Sequence, residues 1–172
     1  MARNIEIKAR IADLAMLQLL AARLADSGPT VIAQDDTFFA CTNGRLKLRE
    51  QSGAGAELIF YQRADESGPK ESFYLRVPVA DPKALRELLQ QAHGVAGRVR
   101  KRRALFLVGR TRIHLDVVEG LGEFLELEVV LRDGESAAQG SAEAHHIMAQ
   151  LGVTPQELIC GAYVDLLGQP SA

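Results

Sequence analysis

The chain has 172 residues, of which 47% are hydrophobic, 24% are charged and 5% are aromatic; this is the composition of one ordinary folded domain and excludes a disordered tail. A domain of this length buries roughly 70% of the surface that its unfolded chain exposes, so it needs neither disulfides nor a structural metal. With 20 Lys and Arg against 22 Asp and Glu, the net charge of −2 supplies no overall attraction toward nucleic acid or an anionic membrane.

The first half of the chain predicts one strand, one helix and then four strands. Residues 4–11 alternate polar and apolar side chains with a period of two, which is typical of a half-buried strand. Helical spacing follows from Asp13, the expected N-cap, to a stop at residues 27–29. Four further predicted strands, separated by glycine-containing turns that indicate a meander, cover residues 30–40, 45–50, 57–63 and 70–79.

The second half predicts a helix, three strands and two closing helices. Asp81 and Pro82 are the expected N-cap and first residue of a helix that runs to Gly94. The closing helices are predicted at 142–151 and at 154–166, where the second begins with a capping-box pattern. The three predicted strands between them cover residues 98–108, 110–117 and 123–131. About eight strands and four helices without a linker predict a single α+β domain over residues 1–172.

The local charge pattern is more informative than the net charge. Residues 98–112 contain seven basic side chains and no acidic one, whereas residues 116–135 contain seven acidic side chains and one basic one. Because alternate residues of a strand share a face, Asp116 lies on the same face as His114, and Glu126 lies on the same face as Glu128. The first and third predicted strands show the same kind of charged face.

A charged strand face usually points to water, but four such strands favour another arrangement. The amphipathic helices need apolar surface to cover, and the apolar strand faces are the surface available. Helices outside place the charged faces together inside a barrel or tunnel of about eight strands. Burying positive and negative side chains together in a confined space costs free energy unless a ligand there pairs with them. A phosphate polyanion bound with a divalent cation uses both, because Lys and Arg bind phosphate and carboxylates bind Mg²⁺ or Mn²⁺.

Short segments along nearly the whole chain resemble the CYTH superfamily of triphosphate tunnel metalloenzymes, which includes class IV adenylate cyclases, thiamine triphosphatases and inorganic triphosphatases. Residues 4–8 (NIEIK) are similar to the family's ExExK motif, and residues 35–39 (DDTFF) to its DTYF motif. Residues 46–49 (LKLR) are similar to its basic LRLR strand, and residues 101–103 (KRR) to its KxR motif. Residues 115–128 resemble its DxvxGLGxFxExE segment. The order and spacing of these motifs together are fairly specific.

The resemblance implies an antiparallel eight-stranded tunnel with helices packed outside and a metal–triphosphate site within. The implied catalytic residues are Asn4, Glu6 and Lys8. The implied cofactor is Mg²⁺ or Mn²⁺, with Glu6, Asp116, Glu126 and Glu128 as its ligands. The implied triphosphate-binding residues are Lys8, Lys47, Arg49, Arg63, Lys70, Lys101, Arg103 and Arg112. Among these, Arg63 or Lys70 would replace the basic residue that the family has on its fourth strand.

The chain departs from the family pattern at Asn4, where the family usually has its first Glu. An Asn oxygen can bind a metal or orient a metal-bound water, but it supplies no negative charge. The sequence alone gives little reason to assign a metal-binding or catalytic role to the histidines. The adjacent His145 and His146 would diverge by about 100° on a helix, and His114 is interpreted as a tunnel-wall residue in preference to a general base.

We expect a metal-dependent enzyme that acts on a triphosphate, of the class IV adenylate cyclase type that converts ATP to cyclic AMP and pyrophosphate. One alternative is an inorganic or thiamine triphosphatase of the same fold, and another is a non-catalytic polyphosphate- or nucleotide-binding module. The expected partners are the triphosphate small molecule (ATP, inorganic triphosphate or thiamine triphosphate) and a second copy in a homodimer. Nucleic acid is not expected, because an equal acidic run matches the basic one and aromatic residues are few.

The sequence also predicts a cytoplasmic protein without a membrane partner. Cys41 and Cys160 stand alone, without a CxxC pair, and we expect both to be reduced. The first ten residues alternate charged and apolar side chains, unlike a signal peptide. No apolar stretch approaches the roughly 20 residues of a membrane-spanning helix.

Overall fold

Strands of alternating polar and apolar residues form one closed antiparallel barrel. In the computed structural model, which describes residues 2–168, there are eight of them: β1 (Ala2–Arg10), β2 (Ser27–Phe39), β3 (Arg45–Gln51), β4 (Gly55–Arg63), β5 (Lys70–Val79), β6 (Val95–Val108), β7 (Thr111–Val118) and β8 (Gly122–Val130). Their order around the barrel is β1-β5-β4-β3-β2-β6-β7-β8. The predicted eight-stranded tunnel and the meander of β2 to β5 are therefore confirmed. Residue 1 and residues 169–172 of the predicted domain lie outside the described residues.

Helices pack against the outside of the barrel, as predicted. Within the described residues they are α1 (Leu14–Leu24), α2 (Pro82–His93), α3 (Ala137–Gln150) and α4 (Tyr163–Leu167), with a 3₁₀ turn at Pro155–Glu157. The Asp13 and Asp81 side chains accept hydrogen bonds from backbone amides in the first turns of α1 and α2, which satisfies donors that a helix start leaves free. No helix in this part of the chain is long and apolar enough to cross a membrane.

The main core lies between the outer face of β1, β7 and β8 and the helices α1 and α3. Ile5, Ile7 and Leu127 on these strands are essentially inaccessible to water, and each such side chain contributes about 1.5–3 kcal/mol through burial. Gly140 allows α3 to approach β1 closely, since a Cβ atom there would lie 2.6 Å from Ile5. Because the apolar side chains of these strands point outward, their charged neighbours point into the barrel.

The predicted helix over 154–166 is wrong. After the 3₁₀ turn the chain is extended: Leu158 pairs with Ala9 of β1, and the Ile159 amide donates a hydrogen bond of 2.9 Å to the Lys8 carbonyl oxygen. Gly161, with φ of +81°, then turns the chain into α4, a conformation that glycine adopts without strain. Pairing with β1 thus competes successfully with local helical propensity and places α4 against one end of the barrel.

Several other boundaries differ from the prediction, those of α3 and β2 among them. Helix α3 begins at Ala137, five residues early, because Ser136 and Gln139 form a capping box. Strand β2 begins at Ser27, within the segment that was expected only to stop α1, and it follows the long strand β6 to its end.

Candidate functional site

The charged strand faces enclose a cavity of about 350 Å³. Side chains from all eight strands line it, together with Ala162 and Tyr163 at the start of α4. In the described part of the chain, the lining contains eight basic side chains (Lys8, Lys47, Arg49, Arg63, Arg76, Lys101, Arg103 and Arg112) and four acidic ones (Glu6, Asp36, Glu126 and Glu128). The excess of positive charge suits an anionic ligand.

Strand β6 shows how the basic run of residues 98–112 divides between two faces. Lys101 and Arg103 point into the barrel and are 8% and 3% exposed. Arg98 and Arg100 lie on the outside and form ion pairs with Asp35. The run is therefore not one basic surface.

Most of the predicted site residues meet in this cavity. Two do not belong to its lining within residues 2–168. Lys70 directs its ammonium group to the Glu66 carbonyl oxygen, 2.7 Å away, and Asp116 lies fully buried behind Arg103. Of the two candidates for the family's basic residue on the fourth strand, Arg63 is the one that reaches the cavity. The roles assigned to all these residues stay predictions.

Among the described lining residues with acidic, basic or imidazole side chains, three were not predicted as site residues: Asp36, Arg76 and His114. For Asp36 the available sequence signal was its place in the 35–39 segment that resembles the family's DTYF motif; the structure places it opposite Arg49 in the β2–β3 register. His114 was recognised only as part of the wall. No sequence signal identified Arg76, which pairs with Glu57 and is largely exposed.

Asp36 anchors the two basic side chains of β3 that line the cavity. Arg49 donates two hydrogen bonds of 2.7 Å to its carboxylate, and Lys47 donates a third of 2.9 Å. Burial opposes ionisation of Asp36, but Arg49 and Lys47 hold its pKa well below the usual range. Burial, followed by the charge of Arg49, lowers the pKa of Lys47 to about 7, so Lys47 titrates close to neutral pH.

Asp116 anchors the inward-facing basic side chains of β6, Lys101 and Arg103, in the same way. Arg103 donates from Nε to Oδ1 and from Nη2 to Oδ2, both at 2.7 Å. Tyr163 of α4 donates its hydroxyl to Oδ2 at 3.0 Å, and Lys101 Nζ lies 3.5 Å from the same oxygen. Burial opposes ionisation of Asp116, but Arg103 and Lys101 keep its pKa below the ordinary value. Both oxygens of this carboxylate are therefore occupied.

Glu6 and Arg63 form the third buried ion pair. Arg63 donates from Nη1 to Glu6 and from Nη2 to the Gly161 carbonyl oxygen at 2.9 Å. Burial, and next the negative charge of Glu126, raise the pKa of Glu6, while Arg63 and Lys8 oppose that rise. The pair links β1 and β4 to the segment that precedes α4.

Glu126 and Glu128 make only longer contacts. Glu126 Oε2 lies 3.5 Å from Arg103 Nη2 and 3.6 Å from Lys8 Nζ. Glu128 accepts one bond of 3.2 Å from Arg112. Burial opposes ionisation of Glu126, yet the surrounding positive charges, Lys8 first, hold its pKa well below the usual range. Glu126 thus presents a charged oxygen that no short hydrogen bond from the described residues occupies.

These residues fit a divalent cation. His114, Glu126 and Glu128 each offer one ligand atom, and these atoms lie within 4.8 Å of one another. Among the described residues, the two ring nitrogens of His114 and the Oδ1 atom of Asn4 are buried without a hydrogen-bond partner. Buried polar atoms are rarely left unsatisfied, so such atoms beside available carboxylates match a site that a cation and its waters complete.

Comparisons with known proteins agree with this fold. The sequence profile of the CYTH domain matches residues 2–163. The PH1012 protein of Pyrococcus horikoshii has a similar structure, with 23% identity, a TM-score of 0.85, and coverage of 95% of this chain and 98% of that one. A provisionally named adenylate cyclase from Vibrio parahaemolyticus is similar at 18% identity and a TM-score of 0.77, with coverage of 96% and 98%.

A third similar structure is HpAC1 from Hippeastrum, a provisionally named adenylyl cyclase described as having a dominant triphosphatase activity. It shares 16% identity and a TM-score of 0.65, with coverage of 94% of this chain and 91% of that one. A comparison with curated proteins finds no match.

Proposed function

The chain belongs to the CYTH domain family, and on that premise we propose that it is a divalent-metal-dependent enzyme that acts on the triphosphate group of a small molecule. The observation that carries the proposal is the convergence of eight basic side chains on one enclosed cavity that also contains available carboxylates. A nucleic-acid backbone would need basic residues spread over an open surface. A short polyphosphate instead concentrates its charge in a volume that such a cavity can surround.

The basic residues would contribute to triphosphate binding in different ways, because they differ in how they are paired with carboxylates. Arg49 and Arg103 are each held in place by two hydrogen bonds to an aspartate, so their remaining N–H groups are oriented before the ligand arrives, which lowers the entropic cost of binding. Lys47 and Lys101, on the same two strands, would add ammonium groups that bind phosphate oxygens. A bound divalent ion would neutralise phosphate charge and polarise a phosphoryl oxygen.

Cyclisation of ATP to cyclic AMP and pyrophosphate is the first candidate reaction. In it the ribose 3′-oxygen attacks the α-phosphorus, the bond to the β-phosphate oxygen breaks, and the hydroxyl proton leaves to a base or to water. The cavity lining contains Ile32, Leu105 and Tyr74 beside the charged groups, which favours a triphosphate that carries an organic group. The name given to the similar Vibrio parahaemolyticus protein supports the same reaction.

Hydrolysis of a triphosphate, inorganic or thiamine-linked, is the second candidate. In it water attacks the terminal phosphorus, the bond from that phosphorus to the bridging oxygen breaks, and the proton of the attacking water leaves to a base or to water. The dominant triphosphatase activity described for the Hippeastrum protein supports this reaction.

Product analysis separates these reactions. The protein is incubated separately with ATP, inorganic triphosphate and thiamine triphosphate, each with Mg²⁺ or Mn²⁺, and the products are identified by mass spectrometry and ³¹P NMR. Cyclic AMP with pyrophosphate identifies a cyclase, and a diphosphate product with inorganic phosphate identifies a hydrolase. Arg49→Gln should abolish either activity. Arg98→Gln, which changes an exposed arginine outside the barrel, is the matched control and should retain it.

The same experiment tests the alternative of a non-catalytic binding module. Binding of triphosphate in the cavity without turnover of any of the three substrates, with either metal, would replace the enzyme proposal by that module.

A further inference from the structure

We infer that the end of the barrel opposite α4 contains a subsite for the organic group of the substrate, in which the Gln34 side chain accepts a hydrogen bond from an amino group on a flat nitrogen-containing ring. The ligand class is a triphosphate ester of an amino-substituted heteroaromatic compound, such as ATP or thiamine triphosphate. The inference rests on the proposed function, because it assumes that the basic residues bind the triphosphate group.

The two ends of the barrel differ in what they can accept. At the end covered by α4, Phe124 and Tyr163 belong to a buried apolar cluster, and Phe124 is inaccessible to water. At the opposite end, which we call the mouth, the lining residues Ile32, Leu105 and Tyr74 are only partly buried. A group larger than the phosphates therefore has room at the mouth.

Strand β2 relates the mouth to the basic residues. Alternate side chains of this strand line the cavity in the order Ile32, Gln34, Asp36 and Phe38, with about 6.6 Å between successive members. Phe38 belongs to the cluster beneath α4, and Asp36 binds Arg49. Gln34 is therefore the first inward residue beyond the basic residues on the way to the mouth, where a group attached to the triphosphate would lie.

Gln34 supplies the independent observation that points to a ligand. It is 5% exposed, and its Nε2 atom donates a hydrogen bond of 2.9 Å to Gln51 Oε1. Within residues 2–168, its Oε1 atom has no hydrogen-bond partner, although buried polar atoms are rarely left unsatisfied. Lys101 lies opposite Gln34 on β6, but its ammonium group is 3.5 Å from Asp116. The Gln34 oxygen is thus an acceptor that a ligand can complete.

The bond between the two glutamines determines what their amides offer to a ligand. A primary amide has two N–H donors and one carbonyl acceptor. With Gln34 Nε2 bound to Gln51 Oε1, the pair presents the Gln34 oxygen as an acceptor and the Gln51 NH₂ group as a donor. A ring with an amino group beside a ring nitrogen has the complementary pattern, and glutamine reads adenine through the same two kinds of group.

The other side chains of the mouth suit a flat ring. Ile32 and Leu105 provide apolar surface, and Tyr74 provides an aromatic ring on which a heterocycle can stack. Inorganic triphosphate has no group that could make these contacts or donate to Gln34 from the mouth. The subsite therefore favours an ester over inorganic triphosphate.

The test is calorimetric titration of the full-length protein with ATP, thiamine triphosphate and inorganic triphosphate, in EDTA so that metal-dependent turnover does not consume them. At least one ester should bind more tightly than inorganic triphosphate. Gln34→Met has a similar length but no acceptor, and it should lower the ratio of ester affinity to inorganic triphosphate affinity about tenfold. Gln18→Met, at an exposed position of α1, is the matched control and should keep the ratio. The ester whose ratio falls identifies the ring.

Analogues without the amino group complete the test. Purine riboside triphosphate is compared with ATP, and oxythiamine triphosphate, which has an oxo group instead, is compared with thiamine triphosphate. The analogue of the identified ester should bind the wild type about tenfold more weakly than the ester does, and Gln34→Met should remove that difference.

Equal affinities of ester and analogue for the wild type, an unchanged ratio in Gln34→Met, or inorganic triphosphate that binds as tightly as both esters would overturn the inference alone. Failure of all three ligands to bind would overturn the proposed function as well. A Gln34-dependent preference for an ester, without turnover when metal is added, would support the inference and reject the enzyme proposal.

Discussion

Arg103 and Asp116 face each other across strands β6 and β7 and are joined by two parallel hydrogen bonds of 2.7 Å inside the barrel. Asp35 and Arg98 form a similar two-bond pair across β2 and β6, but on the outside of the barrel. Both pairs join an arginine to an aspartate by two hydrogen bonds, and one is buried while the other lies at the surface, so they can be compared.

The first prediction concerns this comparison. Asp116→Asn should lower the free energy of unfolding by about 3–5 kcal/mol, because it removes the negative charge that the buried Arg103 guanidinium contacts at 2.7 Å. Asp35→Asn should lower it by no more than about 1 kcal/mol, as expected of a pair near the surface. Urea denaturation of both variants measures the two values. Equal losses would show that Asp116 does not hold a buried charge in place.

The second prediction concerns Glu126. Glu126→Gln should abolish metal-dependent turnover while the fold remains intact, since the substitution removes a charged oxygen that hard cations require. Activity at limiting Mn²⁺ and circular dichroism measure the two effects. Unchanged turnover in a folded variant would remove Glu126 from the metal site.

The third prediction concerns Asn4, which lines the cavity with a buried oxygen that has no partner among the described residues. Asn4→Glu should tighten the binding of both Mg²⁺ and Mn²⁺, because it adds a charged oxygen near Glu6. Asn4→Gln adds the same length without the charge and is the control. Metal titrations that coincide for wild type and Asn4→Glu would place position 4 outside the metal's reach.

The fourth prediction is a pH effect at Lys47. Burial and the charge of Arg49 lower the pKa of Lys47 to about 7, so at pH 8 most of the free protein carries it neutral. A bound triphosphate favours the ammonium form, and binding at pH 8 should therefore take up a proton. The affinity for triphosphate should fall as the pH rises from 7, until the pH reaches the pKa that Lys47 has in the triphosphate-bound protein.

Calorimetry in buffers of different ionisation enthalpy measures that uptake. Lys47→Arg, whose guanidinium stays charged, corrects for protonation of the ligand itself and should show a smaller uptake than the wild type. An identical uptake in both proteins would mean that Lys47 is not the titrating group.

Much of the fold could be predicted because strand parity is a local property. The alternation in residues 4–8 and 46–49 identified the charged faces of β1 and β3. Because the amphipathic helices must cover the apolar faces of the strands from outside, the charged faces were expected to meet inside the barrel. The partners could not be predicted in the same way. That Asp36 meets Arg49, and that Glu6 meets Arg63, depends on strand register and barrel closure, which link residues far apart in the chain.

Residues 154–166 and His114 show two further limits. The capping-box pattern at Thr154 is real, but pairing of residues 158 and 159 with β1 determines the conformation that follows, and that pairing forms only once the barrel exists. His114 resembled an ordinary wall residue until its burial and its two unpartnered nitrogens became visible in three dimensions.

The barrel interior should bind triphosphate, and calorimetric titration with inorganic triphosphate measures that binding. Triphosphate should bind the wild type and raise its unfolding temperature by mass action, and double-stranded oligonucleotide should not compete. Arg49→Ala and Lys101→Ala should each cost roughly 1.5–3 kcal/mol of binding free energy, the range for hydrogen bonds to charged groups. Wild-type affinity in both variants, or displacement of triphosphate by the duplex, would contradict the account.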